Sequence, residues 1–163
     1  MTDHTKLVER FWSKLGESPV VMLSLPHQPA HSEPMTAMFD HPFPDTLYFY
    51  TRTDNRLVQG LADAGPRAMA HFSAKGHDFF ASLAGSLSTC GYSKMVDYFW
   101  SEEVAAWYDG GQADSRLEML RFHVAHVEMW QADPEQRGTW RRLFGGGLDL
   151  DTEVQSRPSA VGF

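Results

Sequence analysis

Four short segments between residues 33 and 87 decide the fold: they read EPMTAM (33–38), LYFYTR (47–52), RAMAHF (67–72) and SLAGSL (82–87). Their aromatic, β-branched and small apolar residues, interrupted by polar ones, are typical of β-strands. Between the second and third segments, apolar residues at 57, 58 and 61 recur at helical spacing. Asp54 or Asn55 can cap this helix, and Gly65-Pro66 ends it. The stretch therefore predicts two strands, a helix and two further strands.

The segments on either side extend this sheet. Residues 7–15 predict an amphipathic helix that stops at Gly16, and the apolar run at 19–25 predicts a buried strand. Helix is predicted for residues 93–100 and for a following turn capped by Ser101. Strand is predicted for 117–122 and 127–131, on either side of a bulge or tight turn, and a last short strand for 139–144. The fold class is therefore α+β and mainly β, an antiparallel barrel with flanking helices. We expect one domain over 1–144 and a flexible tail over 145–163.

Composition excludes several classes of function. The chain of 163 residues carries a formal net charge of -7 and no basic cluster beyond Arg141-Arg142, which argues against nucleic acid as a partner. Its single cysteine, Cys90, excludes an intramolecular disulfide and a zinc site built on cysteines. Apolar runs fall short of the ~20 residues that a membrane helix needs. Residues 1–12 are charged and do not resemble a signal peptide, so we expect a cytoplasmic protein.

No hydrolytic or metal-binding motif is present in the sequence. HExxH and GxSxG are missing, and the glycines at 145–147 lack the lysine and Ser/Thr of a phosphate-binding loop. His123 and His126 are three apart in a predicted strand, which places them on opposite faces. We therefore predict no metal site, and the sequence identifies no catalytic residue.

An anion-binding corner is predicted where the second segment ends. Thr51 offers a hydroxyl, Arg52 and Arg56 offer charge, and the following helix starts with free N–H groups. A strand-to-helix junction without a ligand is the alternative interpretation. Lys75 and His77, in a predicted hairpin loop, either join this site or form a solvated tip. The aromatic side chains at 107, 108 and 130 either stack on a planar ligand or pack in the core.

These residues and their order resemble a known family. The motifs are PMTA (34–37), LYFYT (47–51), KGHD (75–78), ASLAG (81–85), AWYDGG (106–111), Asp114 and VEMW (127–130). Together they resemble the bacterial general stress proteins of the pyridoxamine 5'-phosphate oxidase-like, FMN-binding split-barrel superfamily, over about residues 7–144. The resemblance implies a six-stranded antiparallel split barrel. It also implies a homodimer with a flavin, FMN or possibly FAD, in each interface site, lined by both chains.

The resemblance also implies which residues bind the flavin. Tyr50 and Thr51 match a pair near the flavin phosphate, Arg56 matches a phosphate arginine, and Trp130 matches a tryptophan that reaches the flavin. The hydroxyls of Thr36 and Ser82 are candidates for tuning the ring by hydrogen bonds. The predicted cofactor-binding residues are Met35, Thr36, Tyr50, Thr51, Arg52, Arg56, Lys75, His77, Ser82, Trp107 and Trp130.

The chain also departs from the oxidases. The oxidases carry an arginine at the position of Glu33 and a lysine near the position of Met38. They usually also carry a lysine at the position of Leu57. Residues 136–139 read QRGT instead of the oxidases' Arg-x-His substrate signature. The implied function is therefore a flavin-binding general stress protein, acting as a flavin-dependent oxidoreductase. The alternatives are a non-catalytic flavin-sequestering or sensing protein, and a split barrel that has lost its flavin.

Overall fold

The computed structural model describes residues 3–27, 31–40, 45–91, 94–132 and 140–146. Within these ranges the elements follow in the order α1 (Asp3–Glu17), β1 (Val20–Ser24), β2 (Glu33–Thr36), β3 (Thr46–Arg52), α2 (Arg56–Ala64), β4 (Arg67–Ser73), β5 (Phe79–Thr89), α3 (Lys94–Tyr98), α4 (Glu102–Ala105), β6 (Leu117–Ala132) and β7 (Trp140–Gly146). A single 3-10 turn, Gly111–Ala113, lies between α4 and β6. The predicted class, α+β and mainly β, is confirmed.

Six antiparallel strands form a nearly closed barrel in the order β2-β1-β4-β5-β6-β3. The barrel closes where Met38, just beyond β2, exchanges two backbone hydrogen bonds with Tyr48 of β3, at 2.7 and 2.8 Å. One edge of β6 is shared, because β3 pairs with its first half and β7 with its second half. The barrel is therefore split along β6, and the predicted six-stranded split barrel is confirmed.

Side chains from one face of each strand, together with apolar side chains of α1, fill the barrel interior. Its largest fully buried side chains include Phe11, Leu23, Phe49, Phe79, Leu83, Phe122 and Met129. Helix α1 is fixed to the barrel at two polar contacts. Lys14 Nζ lies 3.0 Å from the Asp78 carboxylate, and Arg10 donates to the Gln131 amide oxygen at 2.8 Å. The helix continues through Gly16 to Glu17, so the predicted stop at Gly16 is wrong by one residue.

A second apolar cluster covers the outside of β3. It consists of Tyr48, Tyr50, Val96, Val104, Tyr108 and Met119, and it lies beneath the segment that contains α3 and α4. Residues 46–51 are consequently buried on both faces of the strand. This double burial explains why the LYFYT segment is almost continuously apolar.

A β-bulge in β6 accounts for the slip in its alternation. Ala84 pairs with His126, whereas the next residue, Gly85, pairs with Val124, so β6 carries one extra residue at Ala125. A Cβ atom on Gly85 would lie 1.9 Å from the His123 carbonyl oxygen, so only glycine fits opposite the bulge. Residues 117–132 thus form one bulged strand, and the bulge alternative is confirmed over the tight turn.

Predictions for the first and the last strand differ from the structure. Strand β1 is buried on one face only, since Val20 and Met22 point outward with 46% and 41% of their surface exposed. Strand β7 spans Trp140–Gly146, whereas the sequence predicts a strand over 139–144, and residues 147–163 of the predicted tail lie outside the described residues. Among the described helices, none has the length and apolar character required to span a bilayer.

Candidate functional site

A row of side chains runs across the outside of the sheet. Met22 of β1 pairs with His71 of β4, His71 with Ser82 of β5, and Ser82 with Glu128 of β6. Because directly paired residues share a face of the sheet, these four side chains lie side by side on the outer surface. Ser82 Oγ lies 3.3 Å from His71 Nδ1. We call the outward surface of β2, β1, β4, β5 and β6 the outer face.

A pocket of about 410 Å³ opens on the outer face. Its apolar part is formed by Val20, Met22 and Phe80, and polar groups of His71, Lys75 and His77 surround it, together with the serines at 18 and 73. The apolar part offers a surface for a planar ring, and the polar groups can fix its orientation.

The structure brings five of the predicted site residues to this face. Lys75 and His77 lie in the β4–β5 hairpin at one end of the pocket, and Ser82 lies next to His71. Thr36 is the register partner of the lining residue Val20, and Trp130 is the partner of the lining residue Phe80.

The Lys75 ammonium is the positive charge available at this pocket. Its neighbour in the hairpin, Asp78, is already bonded to Lys14, whose hydrogen bond lowers the pKa of the Asp78 carboxyl. Within the described ranges, no carboxylate forms an ion pair with Lys75. An anion at this end of the pocket would therefore meet an uncompensated charge.

A second group of predicted residues lies at the start of α2, beside a separate pocket of about 300 Å³. Leu25, His31, Arg56, Leu57, Gln59, Gly60 and Asp63 line that pocket. The Asn55 side chain caps α2 by accepting from Leu57 N–H at 2.8 Å, and its amide donates to the Glu33 carboxylate at 2.7 Å. Arg56 Nε donates to the other oxygen of Glu33. We call Glu33, Asn55 and Arg56 the helix-start corner.

The helix-start corner fits a phosphate poorly in this arrangement. The Arg56 charge is compensated by Glu33, and Arg52 pairs with Asp54 at 3.2 Å. A second carboxylate, Asp63, lines the pocket. Leu57, at the position where the oxidases carry lysine, is buried in the barrel core. Phosphate binding here would require Arg56 to leave Glu33.

The remaining predicted residues lie in the barrel, beneath the α3–α4 segment or just after α4. Met35 is buried inside the barrel. Tyr50 donates its hydroxyl to the Val96 carbonyl, and Tyr108 donates to the Thr51 carbonyl, each at 2.6 Å. Burial raises the pKa of Tyr50 and raises that of Tyr108 to about 12, so both phenols stay protonated donors. Trp107, at the end of α4, is 53% exposed.

Within one chain, then, the predicted residues do not converge on one place. The sequence analysis missed four members of the outer face, namely Met22, His71, Phe80 and Glu128. A signal for His71 was present, because Ala68, Ala70 and Phe72 alternate as inward residues and leave 69 and 71 outward. In the described part of the chain, no cluster of three or more His, Cys, Asp or Glu side chains is suited to hold a metal ion.

Comparisons with known proteins agree with this architecture. The family model described as pyridoxamine 5'-phosphate oxidase like matches residues 6–141. A comparison with curated proteins finds no match.

Solved structures with more than 30% sequence identity are also similar along most of the chain. The general stress FMN/FAD binding protein of Xanthomonas citri is 38% identical, with a TM-score of 0.73, over 86% of this chain and 99% of that one. A general stress family protein of Xanthomonas campestris pv. campestris is 36% identical, with a TM-score of 0.70, over 86% and 98%. General stress protein 26 of Jannaschia sp. CCS1 is 31% identical, with a TM-score of 0.68, over 78% and 80%.

Proposed function

The chain belongs to the pyridoxamine 5'-phosphate oxidase-like family, and on that premise we propose that it is a general stress protein that binds a flavin, FMN or FAD, on the outer face. The observation that carries the proposal is the pocket itself, in which an apolar surface of Val20, Met22 and Phe80 is surrounded by His71, Lys75 and other polar groups. A planar, largely apolar ring with polar edges needs both parts of this lining. The general stress FMN/FAD binding protein of Xanthomonas citri, 38% identical, supports the choice of ligand.

Several lining residues, and Ser82 beside His71, have a role in this proposal. Val20 and Met22 contact the face of the ring, while the hydroxyl of Ser82 and the imidazole of His71 hydrogen-bond its polar edge. Lys75 attracts the negative charge of the phosphate arm. A bound flavin supplies hydride and electron transfer, and the protein supplies orientation and hydrogen bonds.

We also propose that the flavin lies between two copies of the chain. Val20 and Met22 expose 46% and 41% of their surface in the middle of a sheet face, where apolar side chains favour a partner. The helix-start corner and the outer face are separate places on one chain. A second copy seated on the outer face can bring the two together in one site.

Freshly purified protein tests the proposed ligand directly. We expect flavin absorbance bands and, after denaturation, a released compound with the mass of FMN or FAD. Protein that arrives without pigment and does not bind added FMN, FAD or riboflavin would refute the proposal.

A variant pair tests the outer face as the site. Met22→Glu places a charge on the apolar surface of the pocket, and we expect loss of flavin and of the dimer by light scattering. Ser115→Glu adds the same charge on an exposed loop residue that lines neither pocket, and we expect it to retain both. Flavin retained by Met22→Glu at the level of Ser115→Glu would place the site elsewhere.

A flavin-dependent oxidoreductase is the second candidate, favoured by one observation. The imidazole of His71, a side chain that can serve as a general acid or base, lines the proposed ring pocket beside Ser82. We expect the loaded protein to oxidise a reduced nicotinamide in steady state, and His71→Asn to lower kcat while flavin stays bound. A loaded protein without such turnover supports the alternative, a non-catalytic flavin-sequestering or sensing protein.

A further inference from the structure

The helix-start corner contains a carboxylate at the place where a phosphate would need a positive charge. Glu33 is the first residue of β2 and Arg56 the first residue of α2. The Glu33 side chain is only 17% exposed, whereas that of Arg56 is 53% exposed. The carboxylate is therefore held at the edge of the barrel, and the guanidinium reaches back to it from the surface.

Asn55 holds this carboxylate in place. Its amide oxygen is committed to the Leu57 N–H at 2.8 Å, which orients the amide nitrogen toward Glu33 at 2.7 Å. The same carboxylate receives Arg56 through its second oxygen. Glu33 thus accepts from two neighbouring residues through separate oxygens, and helix capping fixes one of the two donors.

A carboxylate and a phosphate compete for the same donors. Both present oxygens that match the planar fork of an arginine, and Arg56 is the arginine that lines the 300 Å³ pocket. A phosphomonoester carries a charge of about -1.5 to -2 at neutral pH. It would enter beside the charge of Glu33 and the carboxylate of Asp63, with the Arg56 charge already compensated.

From this geometry we propose that Glu33 sets the ligand preference of the site by withholding Arg56 from the flavin phosphate. The inference rests on the proposed flavin-binding function and concerns the affinity ratio of FMN to riboflavin. The two ligands share the ring and differ in the terminal phosphomonoester. In the natural chain, Arg56 contributes little to this ratio.

Neutralising the carboxylate tests the inference. Glu33→Gln retains the shape and an acceptor for Asn55 but removes the charge, so Arg56 becomes available. In titrations of the flavin-free protein followed by flavin fluorescence, we expect the Kd for FMN to fall about tenfold. The Kd for riboflavin should stay the same. Glu9→Gln, which removes an exposed carboxylate on α1 outside both pockets, should leave both constants unchanged.

Two further variants show whether Arg56 is the responsible donor. In Glu33→Gln/Arg56→Gln we expect the gain in FMN affinity to disappear. In Arg56→Gln alone, the ratio of the two constants should remain that of the natural chain. A selective loss of FMN affinity in Arg56→Gln would show that Arg56 already binds the phosphate, and it would overturn the inference without any need for the Glu33 variant.

The outcomes separate the inference from the function on which it rests. If flavins bind the natural chain but Glu33→Gln leaves the affinity ratio of FMN to riboflavin unchanged, the role of Glu33 is refuted. The flavin-binding proposal then stands. If neither riboflavin nor FMN binds the natural chain or Glu33→Gln, the proposed function is refuted, and the inference with it.

Discussion

Gly85 is the position at which one added methyl group tests the architecture of the sheet. It pairs with Val124 immediately beside the bulge, and a Cβ atom there would lie 1.9 Å from the His123 carbonyl oxygen and 3.1 Å from Ala125 N. Gly85→Ala must therefore push β6 away from β5. Ordinary contact begins at 3.4 Å, so the two backbones must separate by about 1.5 Å (3.4 minus 1.9) at this point.

A displacement of this size has an estimable cost. Overpacking in a well-packed region costs typically 1–3 kcal/mol. Backbone hydrogen bonds that lengthen beyond their normal range add about 0.5–1.5 kcal/mol each. We therefore expect Gly85→Ala to lower the free energy of unfolding by about 3 kcal/mol.

Urea unfolding followed by tryptophan fluorescence measures this change, and a second glycine provides the matched control. Gly16 lies in the last turn of α1, where an added Cβ would meet only a Phe39 ring carbon at 4.0 Å. Gly16→Ala should raise the free energy of unfolding by about 0.5–1 kcal/mol, since alanine restricts the unfolded chain. If Gly85→Ala changed stability by less than about 1 kcal/mol, the bulge would not hold β5 and β6 as close as described.

Three further predictions concern the cluster beneath α3 and α4 and the contact between α1 and the barrel. Tyr108→Phe removes a buried hydroxyl that donates to the Thr51 carbonyl, and the lost hydrogen bond should cost about 0.5–1.5 kcal/mol in urea unfolding; Tyr98→Phe, at an exposed hydroxyl, should cost far less. The pKa of Asp78 is lowered by its hydrogen bond with Lys14. The contribution of this contact to folding stability is therefore present above the unfolded pKa near 4 and is lost as pH falls through the lower folded pKa. Asp78→Asn should therefore lower stability at pH 7 by no more than about 0.5 kcal/mol and leave stability at pH 2 unchanged, and an equal loss at both pH values would contradict the ion pair. Burial raises the pKa of the Cys90 thiol, so an alkylating reagent at pH 8 should react more slowly with the native protein than with the urea-unfolded chain, and equal rates would contradict the burial.

The sequence predicted β4 more completely than β1, and the reason is local pattern. In β4, inward alanines and Phe72 alternate with polar or larger residues, so period two is visible and each face is assigned. In β1, the run from Val20 to Leu23 is apolar throughout, and nothing in it distinguishes the barrel side from the outer face. The exposure of Val20 and Met22 depends on which strands pair with β1, and the residues of β1 alone do not determine that pairing.

The bulge shows a similar limit of prediction from local sequence. The change of phase between Phe122 and Val127 is visible in the sequence, but a tight turn would produce the same change. What favours the bulge is Gly85, which lies about 40 residues earlier and lets the two backbones approach. The bulge also places Glu128 and Trp130 on the outer face, with Val127 and Met129 inside. The composition of the proposed site therefore depends on a contact between distant residues.

Glu33 illustrates how a residue can be identified from sequence while its effect depends on geometry. A carboxylate near a predicted phosphate site repels phosphate directly, or points away and has no effect. The structure shows a third arrangement, because Glu33 binds the arginine that the phosphate would use. The same contact links the start of β2 to the start of α2, through Asn55 as well as Arg56. Since the Arg56 side chain is half exposed, the ion pair stabilises the fold by no more than about 1 kcal/mol. In the proposed site its larger effect is on ligand choice, because a compensated arginine removes one of the charges that would distinguish FMN from riboflavin.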